Sequence, residues 1–315
     1  MENATASGRN LKKYLGRMEL EQKLRQALFR RGYQEVSTPI LVPAPGTDLH
    51  LEALATEYRP ALDPAVPAGA FFLHTSPEFA MKRLLVQGLT AIFQITKVFR
   101  QGELSPLHQP EFTLAEWYRV GFSYQELMDE VEALARELLG DSLNYQGRTF
   151  DLAQPFRRST VAEAFQEAAN HDLLSEPFSE GKFFRLMVEK VDPWLAAQGP
   201  VFLYDYPAEQ AILARKKPSD SRLAERFELF LAGLELCNGF SELTDPVEQR
   251  ARFQADREKR RQRRLPLYPL PEAFLKALDQ GLPECAGAAL GVDRLAMLQT
   301  DAREIREVVA FPFGR

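Results

Sequence analysis

The sequence predicts an α+β fold built on an antiparallel sheet, from two features of its pattern. Strand-like stretches fall in neighbouring pairs with short connections, at 91–99 with 111–120 and at 226–231 with 234–240 around Ala232-Gly233. Helical stretches lie between groups of strands rather than alternating with single strands, which disfavours βαβ winding. With 45% hydrophobic and 26% charged residues the chain can fill a core, so disorder and coiled-coil architectures are set aside.

Taken in order, Leu11, Tyr14, Leu15, Met18, Leu24 and Leu28 recur at helical spacing, and Gly32 supplies the stop. The polar residues 1–10 read as a flexible leader. YQEVSTP is a short β-like stretch closed by Pro39, followed by a turn region at 43–46. Ser76-Pro77 marks a helix start and Gly88 its end. Ser123 with Glu126, and Thr160 with Glu163, are capping-box signatures, the first for a helix ending near Gly140. Residues 141–158 show no clear period, 159–198 read as amphipathic helix, and 141–198 together are predicted to be a peripheral helical insertion. PVFLYDYP (200–207) is a strand, a basic helix follows Pro246, and AGAALGVDRLAML forms a final unit of strand, Gly and helix.

Composition also excludes functions. A net charge of −5 argues against a surface built throughout for nucleic acid. Cys237 and Cys285 form no CxxC and the four histidines show no ligand spacing, so neither a disulfide framework nor a zinc site is indicated, and the cytoplasm is the expected compartment. There is no apolar leader and no run approaching the ~18 apolar residues of a membrane span. Neither GxGxxG nor GxxxxGK[ST] occurs, so phosphate binding would have to rest on arginines.

Three segments carry candidate chemistry. In FRQGELSPLHQPEFTLAEWY (99–118), period-2 alternation places Phe112, Leu114, Glu116 and Tyr118 on one strand face, with Arg100 opening the preceding loop. A half-solvated edge strand would account for the same pattern. In LELCNGFSEL, Glu235, Asn238 and Glu242 form an oxygen-rich set suited to Mg²⁺. Strict alternation would put Glu235 and Glu242 on opposite faces, so their convergence requires a bulge, expected at Asn238-Gly239. Two surface glutamates flanking a turn are the plainer alternative. In GAALGVDRL, Gly291 permits close approach to the backbone, and Arg294 projects from the first turn of the helix.

These segments, in this order, resemble the three motifs of class II aminoacyl-tRNA synthetases: RRGYQEVSTPIL, then FR with HQPEF eight residues after the Arg, then GAALGVDR. TSPE (75–78), PEFTLAEWY (110–118) and LCNGFSEL (236–243) resemble the lysyl subgroup, from about residue 11 to the C-terminus. With only about ten residues ahead of the first helix, no anticodon-binding OB domain is expected. That shape resembles the elongation factor P–(R)-β-lysine ligase family of lysyl-synthetase paralogs. Ala289 stands where lysyl-tRNA synthetases usually carry Gly, and its methyl would shorten the pocket floor, a difference worth ~1–3 kcal/mol in favour of a β-amine. Residues 11–315 then form one catalytic domain with the insertion, although the length alone would suit about two domains.

The resemblance implies the following roles. Arg100 would bind the α-phosphate of ATP and Arg294 the γ-phosphate. Phe112 would stack on adenine, while Gln101, Gly102, His108, Gln109, Leu236 and Gly291 line the nucleotide. Glu235 and Glu242 would bind Mg²⁺ bridging the phosphates. Ser76, Pro77 and Glu78 would receive the amine near the carboxylate. Glu116, Tyr118 and Glu242, with Asn238 and Ala289, would surround the lysine or β-lysine chain. The family usually has Glu where this chain has Gly102, and Glu103 is the candidate substitute. Pro39 implies a homodimer. The acceptor would be a lysine of elongation factor P and not tRNA; a tRNA-charging synthetase and a non-catalytic lysine-binding regulator are the competing readings. Residues 249–264 carry a net charge of +6 and form either a solvated helix face or a docking patch for an acidic partner or an RNA acceptor arm.

Overall fold

The computed structural model describes residues 2–58 and 69–314, with side chains from residue 11 onward. The first helix, α1 (Glu2–Arg30), buries Leu20, Leu24 and Leu28 and ends before Gly32, whose φ of +81° suits glycine. Its backbone therefore begins inside the stretch expected to be a leader, and the side chains of 1–10 lie outside the described residues. Four short strands follow: β1 (Gln34–Glu35), β2 (Leu41–Val42), β3 (Ala55–Tyr58) and β4 (Gly69–Leu73). The last three form a small antiparallel sheet in the order β2-β4-β3. The next helix, α2 (Glu78–Val86), starts one residue later than predicted, with Pro77 as its cap and Ser76 Oγ accepting from the Glu78 amide at 3.0 Å.

The central hairpin matches its predicted bounds: β5 (Ala91–Phe99) pairs along its whole length with β6 (Glu111–Val120), from Ala91↔Arg119 to Phe99↔Glu111. The Ser123/Glu126 capping box opens α3 (Tyr124–Leu139). The next stretch departs from expectation. Residues 141–160 hold three strands, β7 (Ser142–Tyr145), β8 (Arg148–Asp151) and β9 (Arg157–Thr160), before α4 (Val161–Ala169), α5 (Glu180–Leu186), a π-helical turn and α6 (Asp192–Ala197). Leu143, Tyr145, Phe150 and Phe156 enter the main core, and β9 forms an edge of the central sheet, so this region is not a purely helical appendage.

Beyond it come β10 (Val201–Pro207), β11 (Lys216–Lys217), β12 (Asp220–Leu231) and β13 (Leu234–Ser241). Ala232 and Gly233, at φ 53° and 78°, make the two-residue turn that a right-twisted hairpin favours. The chain closes with α7 (Pro246–Gln262), α8 (Glu272–Leu278), β14 (Cys285–Gly291) and α9 (Val292–Gln299). The nine-stranded sheet runs β1-β5-β6-β14-β13-β12-β10-β9, with β11 paired to β12. Its pairs are antiparallel except β1–β5 and β9–β10 at the two edges.

Period 2 along β6 divides the molecule. Ala115 and Trp117 point into the core made with α1, α3 and α9. Leu114, Glu116 and Tyr118 point to the opposite face, where Phe79, Phe253 and Phe274 of α2, α7 and α8 close a second core. No described helix is long and apolar enough to cross a membrane.

The basic helix α7 is used in part within the fold. Arg250 pairs with Glu272 at 2.9 Å, Arg252 holds Glu248 and the carbonyls of Ala211, Ile212 and Ala214, Arg261 pairs with Glu258, and Arg263 with Glu180. Arg260, 1% exposed, donates to the carbonyls of Pro266, Asp48 and Leu51 and lies over the Tyr268 ring. Lys259, Arg261, Arg263 and Arg264 remain exposed, so the run of positive charge is part internal bracing and part open surface.

Candidate active site

A cavity of about 810 Å³ lies on the face of the sheet opposite α1, α3 and α9. Of the residues singled out from sequence, all line it except Gln101, Gly102 and Glu242. β6 is an interior strand and Glu116 is 2% exposed, so the half-solvated edge strand is ruled out.

One end is built for anions. Arg294, in the first turn of α9, donates to the Glu235 carbonyl at 2.9 Å and to His108 Nε2 at 2.7 Å. Arginine is only a donor, so Nε2 accepts and the His108 proton sits on Nδ1, 2.8 Å from Ser105 Oγ. Burial, and then the nearby Arg294, hold the His108 pKa below its usual value and keep the ring neutral. Asp293 fixes this helix start, accepting from Arg17 of α1 and from the Thr113 amide of β6, both at 2.7 Å. Arg100 lies over the Phe112 ring at 5.0 Å, and Glu103 turns back to within 3.6 Å of it. Gly102, with φ +82°, makes that turn and faces away from the cavity, so Glu103 is the acidic group present where the usual motif Glu is missing. Gln109 is held by the Phe313 amide at 2.8 Å.

The other end is built for a cation. Glu116 accepts from Tyr118 Oη at 2.6 Å and from Ser76 Oγ at 2.7 Å. Glu78 accepts from Lys82 at 2.5 Å, and the same buried ammonium pairs with Glu242. Glu242 is 0% exposed and lies behind the cavity wall at Gly287. A Cβ on Gly287 would stand 2.9 Å from Glu242 Oε1 and 2.2 Å from the Tyr118 ring, so the glycine allows both groups their approach. Ala289 lines the cavity between its sheet partners Glu116 and Asn238.

Burial, with the charge of Glu78 added, pushes the Glu116 pKa up to about 7; burial also raises Glu242 against the pull of Lys82. Three carboxylates thus share one lysine, and their ionised forms are the ones that attract an added cation. Affinity for a substrate ammonium should therefore fall as pH drops through about 7. The KM of a lysine-like substrate in pyrophosphate exchange is expected to rise by up to about tenfold between pH 8 and pH 6. A constant KM would contradict this.

Of the two carboxylates expected for Mg²⁺, Glu235 lines the cavity and Glu242 lies behind its wall. β13 does carry a bulge, but at Leu236, between the rungs Leu229↔Cys237 and Phe230↔Glu235; Asn238 and Gly239 remain regularly paired. The bulge turns Glu235 toward the cavity, while Glu242 is taken by Lys82. The carboxylate beside Glu235 is Glu228 of β12, which also lines the cavity. Burial raises the Glu228 pKa, Arg226 opposes this and the Glu235 charge adds to it. Tyr206 Oη donates to Glu228 at 2.6 Å. Among the described residues no three His, Cys, Asp or Glu side chains gather as a full metal cage. Glu228 is paired with Arg226 as Glu242 is with Lys82, and Glu235, 3.5 Å from Arg294, is the carboxylate of the three that opens on the cavity without a buried cation of its own, suited to a Mg²⁺ that takes most of its ligands from phosphates and water.

The sequence reading missed Lys82, Arg226, Glu228 and Gly287. Lys82 was signalled by its position four residues after Glu78 on a helix. Arg226 and Glu228 were signalled by their alternation on β12, two residues apart and facing one side.

A family model described as tRNA synthetases class II (D, K and N) matches residues 6–315. A Haemophilus influenzae protein named elongation factor P–(R)-β-lysine ligase is 40% identical over 96% of this chain and 95% of its own. Proteins of that name from Vibrio atlanticus and Vibrio cholerae are 40% and 41% identical, over 97% and 99% of this chain and 97% of each relative.

Proposed function

Because the chain belongs to the class II tRNA synthetase (D, K and N) family, we propose that it uses ATP to activate (R)-β-lysine, or lysine, and ligates it to a lysine ε-amine of elongation factor P. The buried Glu116 and Glu242 and the half-buried Glu78 around a single lysine, at the opposite end of one cavity from Arg100 and Arg294, carry this reading. The names of relatives that the chain covers almost end to end support the acceptor.

In this reading Glu78 and Glu116 bind the substrate's ammonium groups, Glu242 adds negative charge from behind the cavity wall, and charge-assisted bonds favour the cation over neutral isosteres. The substrate carboxylate attacks the α-phosphorus in line; the new O–P bond forms as the bond to pyrophosphate breaks. Arg100 compensates charge at the α-phosphate and Arg294 at the departing pyrophosphate, so catalysis is positioning and electrostatics with no protein nucleophile. Glu235 would hold a Mg²⁺ together with the phosphates, and that ion would supply further charge neutralisation there. The acceptor amine then attacks the acyl carbon, an amide forms, AMP leaves and the nitrogen gives up its proton.

Exposed Leu11, Leu15 and Phe29 on α1, with Ile40 and Leu41 beyond it, support a homodimer. The free, buried Cys237 and Cys285 support a reducing, cytoplasmic setting. Pyrophosphate exchange with (R)-β-lysine and with α-lysine tests the activation step. Exchange with at least one, and faster with the β isomer, is expected; exchange with neither would overturn the reading.

A further inference from the structure

We propose that Asp256 forms an acceptor subsite, a carboxylate on the cavity wall that receives the ammonium of the incoming lysine side chain on its way to the adenylate. This rests on the reading above, in which the acceptor is a lysine amine.

On α7, Gln249, Phe253, Asp256 and Arg260 make the inward stripe. Arg260 braces carbonyls, Gln249 donates to the Ile212 carbonyl at 3.3 Å, and Phe253 packs on Phe79. Asp256 has no comparable structural employment. It is 5% exposed, its Oδ1 stands 3.6 Å from the Lys259 ammonium, and its Oδ2 is buried with no hydrogen-bond partner. Leaving a buried polar atom unmet is costly; Gln249 Oε1 and Arg260 Nη2 on the same stripe are unmet too, but of the three residues Asp256 is the one that lines the cavity, where a ligand can complete it.

The position fits such a ligand. Asp256 lines the cavity one helical turn beyond Phe253, whose partner Phe79 adjoins Glu78 at the cation-binding end. The groups facing it are Lys259 on its own helix and Asp48 and His50 on the loop between β2 and β3. Burial raises its pKa to about 6, with Asp48 adding to this and Lys259 and His50 opposing it. At neutral pH it is therefore mostly ionised. The neighbouring Phe178 and Phe184 line the same cavity and offer apolar surface for a four-carbon stem. An acidic group deep on an aromatic wall selects a lysine side chain over a hydroxyl acceptor, which carries no charge for it to hold.

The test compares wild type, Asp256→Asn and Asp256→Glu in the full chain by three readouts. These are pyrophosphate exchange, hydroxamate formation with hydroxylamine as a small neutral acceptor, and transfer to purified elongation factor P. Asp256→Asn should leave the first two and the melting temperature at or above wild-type values, while kcat/KM for elongation factor P falls about 10- to 100-fold, mainly through KM. Asp256→Glu should recover most of that loss. Equal transfer by wild type and Asp256→Asn would overturn the subsite alone, as would a parallel loss of exchange, which marks a structural role. A wild type that exchanges and makes hydroxamate but modifies no elongation factor P would overturn the acceptor reading, and the subsite with it.

Discussion

Arg294→Ala should lower the pyrophosphate exchange rate by about 10²- to 10³-fold while binding of the lysine-like substrate, read as a thermal shift, stays near wild type. The guanidinium is held by the Glu235 carbonyl on one side and neutral His108 on the other, so its remaining donors are fixed toward the cavity before any substrate arrives. Asp293, pinned by Arg17 and Thr113, holds the helix turn that carries it. Such preorganised charge matters most where negative charge grows, on the departing pyrophosphate. Arg294→Lys should recover only part of the rate, because it keeps the charge and loses the fork that meets both Glu235 and His108. An alanine variant within threefold of wild type would contradict this assignment.

Lys82→Met should be the most damaging single change to stability at the cation end, at about 3–5 kcal/mol. The Lys82 ammonium is fully buried and neutralises Glu78 and Glu242 together; burial alone would lower its pKa, and those two carboxylates raise it instead. Removing it leaves the buried Glu242 and the half-buried Glu78 without their cation next to Glu116. The sign of the pH dependence follows. Glu116 and Glu242 have folded-state pKa values above their unfolded ones, so their ionisation destabilises the fold as pH rises through about 7. Without Lys82 that penalty grows, so the gap between variant and wild type should be wider at pH 8 than at pH 6. An added diamino acid should narrow it by supplying the missing cation. Thermal melts at the two pH values, with and without lysine, check this; a gap independent of pH would contradict it.

Much of the fold was legible because its signals are local. The bounds of β5 and β6 follow from two β-like residue runs separated by a loop, and the caps of α3 and α4 from Ser123/Glu126 and Thr160/Glu163. The strands at 142–160 were not legible, since four-residue strands with mostly exposed polar faces leave too short a pattern to show a period. At the site, residues sharing one strand or one loop could be grouped from sequence, as Glu116 with Tyr118 and Arg100 with His108 were. The nearness of Glu228 to Glu235 could not be read this way, because it is made across the β12–β13 hairpin. Net charge alone could not place Arg260 on α7, because a 3.6-residue period turns it inward beside Phe253 and Asp256 while Lys259, Arg261, Arg263 and Arg264 stay exposed.

The central claim is that a lysine-like amino acid passes from an adenylate to a protein amine. One measurement addresses it most directly: incubate the purified protein with ATP and labelled (R)-β-lysine, offer elongation factor P and tRNA in equal amounts, and follow the label. The geometry and family membership predict label on a lysine of elongation factor P and AMP released in equal measure, with tRNA unlabelled. Label on tRNA with elongation factor P unmodified would contradict it.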